Sequence, residues 1–400
     1  MIQRRDFLKA AGLGMTVSSL PGLAFASADT DSRLVLIILR GAVDGLALAA
    51  PYGDGNYRKV RGELALPSPG KVDGLLKLDG MFGLHPSLPG LHRDFQNGEA
   101  LVVHAVASPY RERSHFDGQD VLENGGANTG AVRDGWLNRA IEPLGGSLGN
   151  ETAIAMAQNT PLVLRGNNSV TSWAPSQLPD AADSTIARLQ DLYADDEFFA
   201  TRLAQALKAQ DIAADMGGMG GESKRGNDAE FLRTMMKFTA RFLTAADGPR
   251  IAVLEAGGWD THANQGAATG ALANRLSGLD NALSALRSGL GDKWDNTAVA
   301  IVTEFGRTVR VNGTRGTDHG MATATLLTGG SVNGGRVIAD WPGLASKNLY
   351  QDRDLRPTAD IRSVFKGILA DHLSLPNALL ERSVFPDSSA APKMRDLIRS

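Results

Sequence analysis

Leu34-Val35-Leu36-Ile37-Ile38-Leu39, closed by Arg40-Gly41, is an unbroken apolar run. A strand with one wet face alternates apolar and polar residues. A run without alternation suits a strand covered on both faces, as in a parallel sheet. Five further runs have the same character: Leu101-Val102-Val103, Ala153-Ile154-Ala155-Met156, Ile251-Ala252-Val253-Leu254, Ala298-Val299-Ala300-Ile301-Val302 and Ala324-Thr325-Leu326-Leu327. Helical stripes lie between them. Leu272, Leu276, Leu279, Leu283, Leu286 and Leu290 step by three or four, and Phe231, Leu232, Met235, Phe238 and Phe242 form a second stripe. Ile186, Leu189, Leu192, Phe198, Leu203 and Leu207 support a longer, broken helical region, and Ile361, Val364, Phe365 and Ile368 a late one. Strands alternating with helices predict an α/β fold, doubly wound, with a mostly parallel sheet and helices on both faces. Residues 180–245 read as an inserted helical region, with Met216-Gly217-Gly218-Met219-Gly220-Gly221 as a flexible loop inside it. Gly145 to Pro179, rich in Gly, Asn, Ser and Pro, reads as a second insertion.

Composition narrows the functional classes. The 400 residues are 42% hydrophobic and 21% charged, which is globular rather than disordered or fibrous. A net charge of −3 lacks the basic excess of a nucleic-acid binder. Cysteine is absent, which excludes disulfides, thiolate zinc sites, iron–sulfur clusters and a cysteine nucleophile.

The first 26 residues read as an address. Arg4-Arg5-Asp6-Phe7-Leu8-Lys9 is followed by an uncharged stretch and by Ala24-Phe25-Ala26, small residues suited to signal peptidase. The pattern resembles a twin-arginine signal. It implies the twin-arginine export machinery as partner, a periplasmic location, and a mature domain over 27–400. The mature chain has no second long apolar run, so no stable membrane anchor is expected.

Ligands in open parallel sheets sit at the carboxyl ends of strands. Asp44 follows the first run, Asp260 and His262 follow the run at 251–254, and Glu304 follows Ile301-Val302-Thr303. Asp318 and His319 precede the run at 324–327. Carboxylate and imidazole ligands suit a divalent metal: Zn, Mn, Mg or Ca. Taken singly, an Asp at a strand end is usually a turn former or helix cap; taken together, these groups would converge on one edge of the sheet. Ser114 could begin the helix running toward Leu122. There it is either a cap for free backbone N–H groups or a nucleophile with a metal beside it. Arg111 or Arg113 could hold an anion bidentately, and His115 could be ligand, acid–base group or packing residue.

Six motifs then occur in order: Arg40-Gly41-Ala42-Val43-Asp44-Gly45-Leu46, His85-Pro86-Ser87-Leu88, Ser114-His115-Phe116, Trp259-Asp260-Thr261-His262, Thr303-Glu304-Phe305-Gly306-Arg307-Thr308 and Gly316-Thr317-Asp318-His319-Gly320. With the twin-arginine start, they resemble an exported bacterial family, domain of unknown function 1501, placed in the alkaline phosphatase and sulfatase superfamily. The resemblance implies an alkaline-phosphatase-like domain and a metal-dependent hydrolase of phosphate or sulfate esters, with a small anionic ester as substrate. By that resemblance Ser114 is the nucleophile, and Arg113 and His115 next to it complete the expected catalytic set. Asp44, Asp260, His262, Glu304, Asp318 and His319 supply the metal site. Two departures stand out: Asp260-x-His262 is shorter than the superfamily's Asp-x-x-x-His, and Glu304-Phe305 replaces an Asp-His pair. They keep a second reading in view, a non-catalytic exported binding or assembly protein of the same fold.

Overall fold

The computed structural model describes residues 31–144, 152–175, 183–214 and 228–399. The twin-arginine segment, the Met216–Gly221 loop and parts of the 145–179 insertion lie outside the described residues.

The strands in chain order are β1 (Arg33–Leu39), β2 (Ala49–Ala50), β3 (Leu76–Lys77), β4 (Gly83–Leu84), β5 (Ala100–Ala107), β6 (Ala153–Ala155), β7 (Thr171–Ser172), β8 (Ile251–Ala256), β9 (Thr297–Val302), β10 (Thr323–Thr328), β11 (Arg336–Ile338) and β12 (Ala359–Asp360). Among the described residues nine of them make one sheet, in the order β11-β5-β10-β9-β1-β8-β6-β7 with β12 beside β5; β2, β4 and β3 form a small antiparallel sheet. Each of the six apolar runs contributes to a strand of the main sheet. β1 pairs in parallel with both β8 and β9. β10 alone runs against its neighbours, antiparallel to β9 and β5. The sheet is mixed and mostly parallel.

The absence of alternation in β1 has its expected cause. Val35, Ile37 and Leu39 enter one core and Leu34, Leu36 and Ile38 the other. The first core is closed by the helices Asp228–Thr244 and Ala271–Leu290, the second by the helices Trp136–Ile141 and Ile361–Asp371. All six leucines of the 272–290 stripe are buried. In the stripe before it Leu232, Met235, Phe238 and Phe242 are buried, but Phe231 remains largely exposed. The broken helical region is interrupted between the helices Asp183–Tyr193 and Glu197–Ala214. No helix among the described residues is long and apolar enough to cross a membrane.

Candidate metal centre

The sheet brings its polar loops to one edge. β1, β8 and β9 run in parallel, so Arg40–Asp44, Trp259–His262 and Thr303–Glu304 all leave from their carboxyl ends. β5 is antiparallel to β10 and therefore runs the same way, delivering the segment from Ser108 to His115. The reversed strand β10 begins at this edge, which is why Asp318 and His319, lying before it, arrive there too. Gly41 permits a close approach of two of these loops. At φ +119°, a Cβ would stand 2.6 Å from the Asp260 backbone nitrogen.

Three imidazoles meet at Asp260. Its Oδ1 lies 3.0 Å from His262 Nε2, 3.2 Å from His319 Nε2 and 3.5 Å from His115 Nε2. His262 Nε2 and His319 Nε2 are 3.0 Å apart. One ligand atom each from His115, Asp260 and His319 fits within 4.8 Å of the others. The far nitrogen of every ring faces an oxygen: His115 Nδ1 faces Glu304 Oε1 at 2.7 Å, His262 Nδ1 faces Asp318 Oδ1 at 3.2 Å, and His319 Nδ1 faces the Arg113 carbonyl at 2.9 Å. Carboxylates and carbonyls accept and do not donate, so each Nδ1 carries the hydrogen and donates it. In the neutral rings that leaves three Nε2 lone pairs directed at a carboxylate. His115 Nε2 is buried and has no hydrogen-bond partner.

The charges are set by named neighbours. Burial would raise the Glu304 carboxyl. Hydrogen bonds from His115, from the backbone, from the Thr303 hydroxyl (2.8 Å) and from Gln119 (3.2 Å) bring it down to about 2. Burial likewise opposes the charge on Asp260, but the Arg307 guanidinium holds that carboxyl below its usual range. Asp318 is lowered by its hydrogen bond from Asn312, with His262 adding to it. The two imidazoles diverge. The bond to Glu304 raises His115, whereas burial lowers His319, with the positive charges of His115 and Arg307 acting the same way. Environments that separate two titrating groups are how a site divides proton-holding from lone-pair roles.

The expected residues take different places. Asp260, His262 and His319 share the cluster with His115, whose role the sequence left open. Glu304 and Asp318 reach it through the outer nitrogens of His115 and His262. Asp44 does not join the cluster. It caps the helix Gly45–Leu48 through Leu46 N at 3.1 Å, is ion-paired with the fully buried Arg61, and accepts from Gln265 Nε2 at 2.7 Å. Ser114 stands at the start of the helix His115–Asn124 but makes no side-chain cap there. Its backbone N–H donates to the Tyr110 hydroxyl at 2.9 Å. Arg113 turns away, donating to the buried Asp354 carboxylate at 2.7 and 2.9 Å and to Gln351 at 2.6 Å. Only its carbonyl serves the cluster, from a left-handed backbone at φ +64°. Arg111 donates to the carbonyls of Ser108 and Tyr110.

Sequence reasoning missed Arg307. It is fully buried, donates to Asp260, and also reaches the carbonyls of Ala42 (2.7 Å), Gly41 (2.8 Å) and Thr317 (3.0 Å). One guanidinium thus ties together the loops after β1 and β8 and the loop before β10. The signal that could find it is its place three residues after Glu304, within Thr303-Glu304-Phe305-Gly306-Arg307-Thr308.

The chain is similar to several solved structures. Phosphonate monoester hydrolase of Agrobacterium radiobacter is 12% identical, with 86% of this chain and 74% of that chain covered and a TM-score of 0.38. The C-terminal periplasmic domain of EcEptC from Escherichia coli is 12% identical, with 91% and 88% covered and a TM-score of 0.41. PsFucS1 sulfatase from Pseudoalteromonas sp. is 12% identical, with 86% and 69% covered and a TM-score of 0.36. No curated protein matches the chain. The family model described as "Protein of unknown function (DUF1501)" matches residues 31–383, and the chain belongs to that family.

Proposed function

We propose that this protein is an exported, metal-dependent hydrolase of phosphate or sulfate esters, with its divalent metal held by His115, Asp260, His262 and His319. One observation carries the reading: three imidazoles, each with its Nδ1 hydrogen fixed by an oxygen, present Nε2 toward a single carboxylate oxygen. Imidazole ligands with their other nitrogen held by a carboxylate or carbonyl are the usual outer arrangement of zinc-type sites. Without a cation the buried Nε2 of His115 has no partner, and such a group costs free energy when left unpaired. The donor set therefore fits the group, and mixed imidazole and carboxylate ligands favour zinc over magnesium or calcium.

A bound metal would supply Lewis acidity and would ease ionisation of a nearby hydroxyl. The remaining work falls to the chain. Glu304, Asp318 and the Arg113 carbonyl orient the three rings. Arg307 balances Asp260. Ser114, next to His115 and free of capping, presents its hydroxyl at the head of a ten-residue helix, where backbone N–H groups favour an anion. Its oxygen would bond to phosphorus or sulfur as the alcohol departs with a proton, and water would then release the serine ester. Metal analysis of protein purified without chelator, paired with a screen of phosphomonoesters, phosphodiesters and sulfate esters, tests the reading. Bound metal with turnover that Ser114→Ala abolishes, metal retained, is expected. Full activity in that variant removes Ser114 as nucleophile.

A second reading has its own support. Asp44 is tied to Arg61, and the guanidinium groups of Arg111 and Arg113 are tied to protein oxygens, so neither arginine is set to hold an anion. A binding or assembly protein with a structural metal would show full metal occupancy and no turnover. For export, replacing Arg4 and Arg5 with Lys is expected to hold the uncleaved precursor in the cytoplasm; normal export of that variant removes the address.

A further inference from the structure

The inserted helical region carries apolar surface that the chain leaves uncovered. The helix Asp183–Tyr193 packs on the helix Glu197–Ala214, which joins the core near its far end through Ala209 and Ile212. None of residues 184–199 is buried. Around the turn between the two helices stands Asp191-Leu192-Tyr193-Ala194-Asp195-Asp196-Glu197-Phe198-Phe199, with four carboxylates, four large apolar or aromatic side chains and no base. Leu192, Phe198 and Phe199 are 71%, 63% and 49% exposed. The rings of Tyr193, Phe199 and Phe198 meet in series, with centroids 5.2 and 5.3 Å apart, and Arg202 lies over the last at 5.5 Å. Single exposed apolar residues are ordinary, but a contiguous patch rimmed by polar groups marks an interaction surface.

A surface of opposite charge lies on the same molecule. A groove of about 990 Å3 runs between the helices Asp228–Thr244 and Ala271–Leu290. Arg233, Lys237 and Arg241, each about one turn after the last, form one wall, and the short side chains of Asn281, Ser284 and Ser288 form the other. The groove has one carboxylate, Glu230, which pairs with Arg233 at 2.6 Å. Lys237 has no ion-pair partner among the described residues, and Arg241 donates to the neutral Ile212 carbonyl, which leaves its charge uncompensated. Asp280 of the second helix does not line the groove; it is buried and accepts from Gly90 N and Leu91 N. Three cations against one carboxylate leave a positive groove.

We propose that this groove receives the 191–199 tip of a second copy of the chain, and that two tips docked reciprocally in two grooves make a two-fold dimer. Charge complementarity selects the occupant: the acids of the tip meet the row of cations. The Phe198 and Phe199 rings lie over the cationic side chains, and the short residues of the facing helix leave them room. Because each copy carries both halves of the contact, the exchange closes on itself and stops at two. The same four carboxylates disfavour a membrane as the partner, since anionic lipid repels them. Docking of this kind needs neither metal nor turnover and stands apart from the hydrolase reading.

Sedimentation of the full chain through the micromolar range tests this. A monomer–dimer equilibrium that weakens as salt is raised is expected. Lys237→Glu is expected to weaken the dimer about a hundredfold, and Asp191→Lys with Asp195→Lys to do the same from the other side of the contact. A one-to-one mixture of these two variants is expected to dimerise again, because every tip then meets a groove of opposite sign. Restored assembly also shows that both variants are folded. Phe198→Ser with Phe199→Ser is expected to weaken the dimer about tenfold or more at any salt. A chain that is monomeric throughout, a dimer indifferent to both charge reversals, or a mixture that stays monomeric overturns the proposal. A monomer that sediments with phosphatidylcholine vesicles, and loses them in the double Phe variant, overturns it in favour of a lipid surface.

Discussion

Two acidic residues leave neighbouring strands at the same sheet edge and meet opposite fates. Asp44, after β1, is 1% exposed and has partners on both oxygens: Leu46 N on one, Arg61 and Gln265 on the other. Asp260, after β8, also faces a buried arginine, but its Oδ1 is ringed by three imidazole nitrogens, of which His115 Nε2 is buried without a hydrogen-bond partner. The difference is not the arginine, which both acids have, but what else stands around them: donors of the chain use up both oxygens of Asp44, whereas Asp260 gathers imidazoles, the surroundings a cation site needs.

The largest expected effect breaks the architectural half of this comparison. Removing one partner of a buried ion pair strands the other charge, which costs about 3–5 kcal/mol. Arg61→Ala is therefore expected to lower the unfolding free energy by about that much while the folded fraction still takes up zinc. His319→Ala is expected to do the reverse, losing zinc at little cost in stability. Denaturant titration alongside metal analysis measures both. Loss of zinc in Arg61→Ala at unchanged stability would place Asp44 back among the ligands.

How much of this was legible in the sequence follows from the range of the interactions. β1 was readable because burial on both faces removes alternation, a property of six consecutive residues. The helix Ala271–Leu290 was readable for the same reason at a period near 3.6. The reversal of β10 was not, because an apolar run carries no direction; yet that reversal brings His319 to the site edge. The site residues fared in proportion. Asp260, His262 and His319 could be picked by residue type and position after or before a strand. Arg61 lies 17 residues from Asp44, and Asp354 lies 241 from Arg113, so neither pairing left a local trace. Arg113 shows the limit most clearly: its charge suggested an anion holder, whereas its contribution is a carbonyl held by a left-handed backbone.

An imidazole outside the cluster sharpens the contrast between satisfied and unsatisfied groups. His104, on β5, is fully buried between Phe82 and Trp341. Its Nε2 donates to the Ala49 carbonyl at 2.9 Å and its Nδ1 accepts from Ala105 N at 2.7 Å, so both nitrogens are used by the neutral ring. Burial pushes it down from 6.5 to about 4. Above pH 6.5 neither folded nor unfolded chain protonates this group, and its contribution to stability is complete. As pH falls from 6.5 toward 4 the unfolded chain gains a proton that the folded one refuses. Stability should fall by about 3 kcal/mol over that window. His85 and His372, also lowered by burial, add in the same direction. Unfolding free energies at pH 7.5 and 4.5 are expected to differ accordingly, and by less in His104→Gln. An equal drop in that variant would assign the acid sensitivity elsewhere.

The smallest expected effect separates the two carboxylates that stand behind the imidazoles. Glu304 is buried, and its Oε1 meets His115 Nδ1, Gly41 N at 2.9 Å and Gln119 Nε2. Glu304→Gln can keep a carbonyl oxygen for the three donors, but it removes the buried charge that His115 Nδ1 faces and puts an NH2 where Oε2 accepts from Thr303, so the His115 ring loses its charged anchor. Asp318 is half-exposed, meets His262 at 3.2 Å and accepts from Asn312 at 3.0 Å. Asp318→Asn keeps an oxygen able to accept from His262, and water can replace the rest. Outer partners of metal ligands are worth about 10–100-fold in affinity. Glu304→Gln is expected near the upper end of that range, and Asp318→Asn at or below the lower end. Zinc competition against a coloured chelator reads both. Equal losses would mean that charge alone, and not the depth at which the carboxylate holds its ring, sets the strength of the site; a larger loss in Asp318→Asn would make His262, rather than His115, the ring whose orientation matters most.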